Sequence, residues 1–231
     1  MSGAITTLAL PARLDGASIP ALRAALDGAG GDAIVVLRGA DAATFCGGLD
    51  LGRLDDFDAP ALRAGLRAYA DLLVAIAEAP VPVIAVVEGG AFGGGVGIAA
   101  AADLVIATPD ARFGLPEARY GFHPAIVFAA LDLRLSPQKS RLLALQCESV
   151  DATSAKAIGL VDEIVAGDAL APLVQRWCRR LGRATPEGVA ALRAHAPHRM
   201  RLRESLDLGV TATMDALARP EVRAAVAEML A

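Results

Sequence analysis

Val83-Ile84-Ala85-Val86-Val87-Glu88-Gly89-Gly90-Ala91-Phe92-Gly93-Gly94-Gly95-Val96-Gly97 is the stretch that decides how the rest of the chain is read. Val83–Val87 is apolar at every position, the mark of a strand covered on both faces rather than one alternating between core and solvent. A loop crowded with glycine follows from Gly89 to Gly97, and an alanine run then makes a short helix up to about Ala102. Leu104–Ala107 reads as the next buried strand. Strand, tight loop, helix and strand in that order form one unit of a largely parallel α/β sheet.

Working outward, Pro60 to Ala79 predicts the clearest helix, because Leu62, Leu66, Tyr69, Leu73 and Ile76 recur at steps of three and four. Pro80 and Pro82 stop it. Further upstream, Ile5–Leu10 reads as a short edge strand. Ser18 and Pro20 open a helix that ends near Gly28–Gly31. Ala33–Leu37 reads as a buried strand, and Gly39 to Gly52 as a glycine-rich loop. From Pro116 onward helices dominate, with Leu160–Val165 the last strand candidate. The chain after Asp168 reads as helical throughout.

The bulk numbers agree with a packed α/β fold. Of the 231 residues, 55% are hydrophobic but only 4% aromatic, so alanine, leucine and valine must build the core, and disorder is excluded. A formal net charge of −4 gives nothing to attract a phosphate backbone, so nucleic acid is not an expected partner. The arginine-rich stretch Arg193 to Arg203 is interrupted by His195, Pro197, His198 and Met200, and reads as a helix face or subunit contact. Cys46, Cys147 and Cys178 are far apart with no CxxC spacing, which points to reduced thiols, a cytoplasmic location and no metal site. Met1 to Leu10 lacks the pattern of a signal peptide, and no apolar run reaches membrane-spanning length.

Three segments carry the chemistry: Thr44-Phe45-Cys46-Gly47-Gly48-Leu49-Asp50-Leu51, then Gly89 to Gly97, then Phe113-Gly114-Leu115-Pro116-Glu117. Glycine loops let backbone N–H groups approach a ligand, and at a helix start those amides carry the positive end of the dipole. A carbonyl gathering negative charge is their natural guest, and two loops giving one N–H each would make an oxyanion hole. A carboxylate nearby could move a proton. Alone, each piece has an ordinary structural use; the order and spacing of all three set this chain apart. A dinucleotide-binding reading, with Asp110 as its acid, fails because the strict GxGxxG pattern is absent and the helix is short for a crossover.

These segments resemble the crotonase (enoyl-CoA hydratase/isomerase) superfamily, whose F-[SC]-[AG]-G-x-D-[LI], G-x-A-x-G-G-G and F-x-x-P-E motifs match Phe45 to Leu51, Gly89 to Gly95 and Phe113 to Glu117. The similarity continues through Gly121, Pro124 and Arg141–Leu145 to Ala157-Ile158-Gly159-Leu160-Val161, spanning roughly residues 33 to 166. The resemblance implies a spiral of ββα units over 1–166 and a helical trimerisation region over 167–231, with trimers or hexamers as the assembly. It implies that the amides of Leu49 and Gly94 bind the thioester oxygen, that Glu117 handles protons, and that Gly48, Gly93 and Gly97 line the substrate site, where Tyr120 either orients substrate or simply packs. No cofactor is implied beyond the CoA, or the phosphopantetheine arm of an acyl carrier protein, that bears the substrate.

Departures from the pattern shape the expected reaction. The first of the hydratases' two glutamates falls at Gly97, which has no side chain, and only Glu117 remains. His123 either supplies a second proton or is a hydrogen-bonded histidine of the pocket wall. Gly94 to Asp103 and Leu115 to Val127 also resemble the polyketide-pathway crotonases that dehydrate a carrier-bound acyl group. With Lys139 and Lys156 the only lysines, recognition of CoA phosphates falls to arginines such as Arg13 and Arg53. Cys46 is expected to be inert, and Glu88 replaces the family's usual asparagine without an account from sequence. The leading expectation is a lyase that dehydrates or hydrates a β-hydroxyacyl/enoyl thioester. A Δ3–Δ2 double-bond isomerase, a decarboxylase and a catalytically silent subunit are the alternatives.

Overall fold

The computed structural model describes residues 4–29, 34–50, 58–194 and 201–230. Arg53, His195 and His198 lie outside them. The first strands and helices are β1 (Ile5–Leu10), α1 (Ser18–Gly28), β2 (Ile34–Gly39), β3 (Thr44–Cys46), α2 (Ala59–Ala77), β4 (Val83–Val87), β5 (Gly90–Phe92) and α3 (Gly94–Ala101). There follow β6 (Leu104–Ala107), β7 (Arg112–Gly114), a 3₁₀ turn (Glu117–Tyr120), α4 (Ala125–Leu131), α5 (Pro137–Leu145), β8 (Ser149–Asp151), α6 (Ala152–Ile158) and β9 (Glu163–Ile164). The helices α7 (Gly167–Leu181), α8 (Pro186–Ala194), α9 (Leu202–Leu217) and α10 (Pro220–Leu230) follow among the described residues.

The larger sheet runs β1-β2-β4-β6-β9 with every pair parallel. Its central strands β4 and β6 are apolar and buried at every position because both faces are covered, whereas the edge strand β1 is largely exposed. Val35, Leu37, Val83, Ala85, Val87, Val105 and Ala107 point into the main core with α2 and α3. The alternate residues Ile34, Val36, Ile84, Val86, Leu104 and Ile106 pack instead against Leu170, Leu173 and Cys178 of α7. Burying side chains of this size stabilises the fold by about 1.5–3 kcal/mol each.

Helix α2 carries the expected apolar stripe, and its N-terminus is capped by the Asp58 carboxylate accepting from the Ala61 N–H at 3.2 Å, with Pro60 in the first turn. The helical tail is tied into the core. Leu202, Leu206, Val210 and Met214 of α9 belong to the main cluster, and α9 packs chiefly on α4 and α2. From α8, the nearly buried Arg193 donates to Val81 O at 3.1 Å and pairs with Asp103 at 2.8 Å. Among the described residues no helix is long and apolar enough to cross a membrane.

A second sheet, β3-β5-β7-β8, runs through segments that sequence periodicity reads as loops. Each of its strands is three residues long. The expected loop over Gly39 to Gly52 therefore contains a strand, and so does the loop over Gly89 to Gly97.

Candidate active site

The small sheet is the scaffold of the site. β3 pairs with β5 (Thr44 with Gly90, Cys46 with Ala91), and β5 pairs with β7 (Ala91 with Phe113, Phe92 with Gly114), all parallel. Three motifs separated by tens of residues thus lie side by side and point the same way. Their carboxyl ends release Gly48 and Leu49, Gly93 and Gly94, and Glu117 at one edge, where parallel sheets commonly place a ligand.

Close backbone approach explains the glycines there. Gly48 has φ +89, and a Cβ on it would stand 2.7 Å from the Gly94 nitrogen. Gly93 has φ +49, its N–H donates to Gly114 O at 3.0 Å, and a Cβ on it would stand 2.9 Å from Glu117 Oε1. A side chain at either position would meet both a conformational penalty and a collision.

Leu49 bridges to Leu14 in parallel fashion, with the Leu14 N–H donating to Gly48 O at 2.8 Å and the Asp50 N–H donating to Leu14 O at 2.7 Å. That pattern uses the neighbours of Leu49 and turns its own N–H away from the bridge. Gly94 opens α3, where a first-turn N–H has no intrahelical acceptor. Among the described residues, neither N–H is taken up by a hydrogen bond to the protein.

Both residues line one cavity of about 290 Å³ together with Gly93, Glu117, Tyr120, Tyr69, Leu66, Ile126 and Val127. Glu117 opens the 3₁₀ turn behind Pro116. Its Oε2 is shut off from solvent and has no hydrogen-bond partner among the described residues. Burial pushes its carboxyl up from 4.5 to about 7, and a hydrogen bond from its own backbone only partly opposes the rise. A group poised there can give and take a proton near neutrality.

The remaining residues named from sequence fall in different places. Gly48 is buried behind Gly94 rather than at the cavity surface. Gly97 does not line the cavity either: a Cβ there would overlap the hydroxyl oxygen of Tyr69, which occupies the space. His123 is not brought to Glu117. It lines a second cavity with Phe128, Arg141 and Arg219, and its ring meets Phe128 edge-on at 4.4 Å between centroids. Phe122 and Pro124 form the wall common to the two cavities. Arg13 stands at the rim of the first cavity, exposed.

Cys46 is fully buried and its thiol is pushed up to about 11 by burial, with the Gly48 N–H donating to its sulfur at 3.4 Å. Such a thiol is no nucleophile near neutral pH. Glu88 acquires an account: it pairs with Arg38 of the neighbouring strand β2 at 2.5 Å.

Among the cavity residues that a sequence reading does not single out is Tyr69, which helical spacing marks only as an apolar step of α2. Its hydroxyl donates to Gly94 O at 2.7 Å. The available signal was a lone hydroxyl on an otherwise aliphatic buried face.

Among the described residues, the glycine cradle and a carboxyl with one oxygen shut off from solvent share a backbone-lined pocket of an α/β fold. Residues 14–223 match the family model described as enoyl-CoA hydratase/isomerase, and the chain belongs to that family. It is 32% identical over 200 residues to the (7aS)-7a-methyl-1,5-dioxo-2,3,5,6,7,7a-hexahydro-1H-indene-carboxyl-CoA hydrolase of Mycobacterium tuberculosis, covering 81% of this chain and 80% of that protein. It is 30% identical over 161 residues to the carnitinyl-CoA dehydratase of Proteus mirabilis, covering 69% of this chain but only 61% of that relative's length. The crystal structure of an enoyl-CoA hydratase from Mycobacterium avium superposes with a TM-score of 0.86 at 28% identity, covering 99% of this chain and 91% of that one.

Proposed function

We propose that this chain is a lyase that removes water from a β-hydroxyacyl thioester, or adds it back to the enoyl thioester. The Leu49 and Gly94 amides hold the thioester oxygen as it gains charge, each worth about 3–4 kcal/mol to the transition state. Glu117 takes the α-proton, and the enolate reforms its carbonyl as the β C–O bond breaks. Glu117 returns the proton to the departing hydroxyl, so one carboxyl serves both steps and no cofactor is needed. The observation that carries this reading is Glu117, whose Oε1 lies beside Gly93 and whose buried Oε2 has no hydrogen-bond partner among the described residues, its carboxyl raised to about 7.

Arg13 at the rim suits a phosphate of CoA or of a carrier protein's phosphopantetheine arm. The arm is the carrier favoured by the sequence likeness to polyketide-pathway dehydratases. The reading extends to a cytoplasmic homotrimer or hexamer assembled through the helices after residue 166.

A second reading is a double-bond isomerase, favoured by the absence of a side chain at Gly97 and the tyrosine in its place. A single carboxyl suffices to carry a proton from one end of the allylic system to the other.

Mass spectrometry of 3-hydroxybutyryl, crotonyl and 3-butenoyl thioesters, on CoA and on carrier protein, in heavy water separates the two. Loss or gain of water that vanishes in Glu117→Gln supports the lyase. Deuterium uptake with a shifted double bond and no change of water supports the isomerase. No reaction with any thioester removes both and leaves a silent subunit.

A further inference from the structure

Gly93, Gly94 and Gly95 have no side chains with which to fix their own peptides, yet a donor at Gly94 is useful only if its N–H stays aimed at the cavity. The Gly93 carbonyl, which shares a peptide plane with the Gly94 N–H, accepts from the Val96 N–H at 3.0 Å, and the other side of Gly94 is restrained from α2. The Tyr69 hydroxyl donates to Gly94 O at 2.7 Å, and a Cβ on Gly94 would lie 3.2 Å from both its oxygen and its Cζ. The ring is 1% exposed, and its neighbours on the buried face of α2 are Leu66, Ala70, Leu72, Leu73 and Ile76. A phenylalanine would fill the same volume without bringing a hydroxyl into an apolar core. A buried hydroxyl is tolerated because it makes its bond; here that bond lands on the residue whose N–H faces the cavity. Burial raises the phenol well above its ordinary range, so it stays a neutral donor. The same oxygen fills the space that a side chain at Gly97 would need.

We propose that Tyr69 is a positioning residue for the oxyanion donor, pinning Gly94 through its carbonyl and standing where a second acid would otherwise enter. The proposal rests on the reading of the Gly94 amide as an oxyanion donor. The site therefore trades a second proton-transfer group for a rigid charge-binding one.

The test compares two ligands on the full chain. Acetoacetyl-CoA ionises to an enolate with charge on the oxygen that the amides would hold, and butyryl-CoA offers a similar chain without that charge. Dissociation constants are measured by calorimetry for wild type, Tyr69→Phe and the double variant Tyr69→Phe/Gly97→Ala. Wild type is expected to prefer acetoacetyl-CoA by at least about tenfold, the worth of a good hydrogen bond to a charged group. Tyr69→Phe loses about tenfold on acetoacetyl-CoA and leaves butyryl-CoA unchanged. The double variant, whose added methyl fills the space of the lost oxygen, regains thermal stability but not the preference.

A Tyr69→Phe protein that keeps the wild-type preference, or that weakens both ligands equally, overturns the positioning role. Recovery of the preference by the double variant overturns it as well, since no hydroxyl would then be needed. A wild type without any preference strikes at the oxyanion reading itself and takes this proposal with it. A preference that survives in Tyr69→Phe strikes at Tyr69 alone.

Discussion

Glu117 and His123 are six residues apart in sequence, yet they face different cavities on either side of the Phe122–Pro124 wall. Burial acts on both and favours the neutral form of each, raising the acid to about 7 and lowering the histidine below its usual 6.5. What differs is the company. Glu117 Oε1 meets the glycine loop and its Oε2 has no hydrogen-bond partner among the described residues, whereas the His123 ring lies edge-on to Phe128 at an interplanar angle of 76°. One residue holds a proton against a cavity; the other is an exposed ring set edge-on to Phe128. The 3₁₀ turn Glu117–Tyr120 and the bend at Gly121 separate them, so proximity in sequence gives no shared site.

The sharpest way to break this comparison is to neutralise the acid. Glu117→Gln keeps the shape and removes the proton carrier, and kcat is expected to fall by about two to four orders of magnitude. In wild type, kcat/KM for a thioester of the panel should rise as pH passes through about 7, following ionisation of the free enzyme's carboxyl. Steady-state kinetics across pH reads both quantities. A variant within threefold of wild type would leave the two residues equally idle.

The comparison also shows where sequence reasoning has reach. The large sheet was legible because Val83–Val87 and Leu104–Ala107 are long and apolar enough to declare a strand buried on both faces. The small sheet was not, because Thr44–Cys46, Gly90–Phe92 and Arg112–Gly114 are three-residue strands rich in glycine, with no room for a period. The motifs inside them were nevertheless legible, through glycine order and the Pro116-Glu117 pair. It is the family resemblance carried by those motifs that assigns Leu49, Gly94 and Glu117 to one site. Tyr69 and Gly97 are hard to read from sequence for a common reason. Helical spacing marks Tyr69 as buried but does not say that its hydroxyl ends beside another helix, in the space a residue at 97 would use.

A stability measurement sharpens the same contrast without any substrate. The native Glu117 carboxyl keeps its proton between 4.5 and about 7, where the unfolded chain has lost its own, so native stability falls as pH rises across that window. At roughly 1.4 kcal/mol for each pH unit between the two values, the cost reaches about 3 kcal/mol above pH 7. Glu117→Gln has no proton to lose. Its stability relative to wild type should therefore be greater at pH 8 than at pH 4 by about that amount, read from urea denaturation at each pH. Parallel curves for the two proteins would mean that the carboxyl is not held in its neutral form.

The smallest effect belongs to His123. Its folded value lies below the unfolded 6.5, so the sign is opposite to that of Glu117: its contribution is complete above pH 6.5 and is lost as pH falls through the folded value. His123→Ala removes the edge-on contact with Phe128 and is expected to cost about 0.5–1.5 kcal/mol at pH 8, with less cost at pH 5. Turnover of the thioester that proves to be the substrate should change by less than about threefold, because the ring faces the other cavity. A loss comparable to that of Glu117→Gln would place His123 in the reaction and remove the separation between the two cavities. A change confined to stability leaves the wall of Phe122 and Pro124 as the boundary between chemistry and packing.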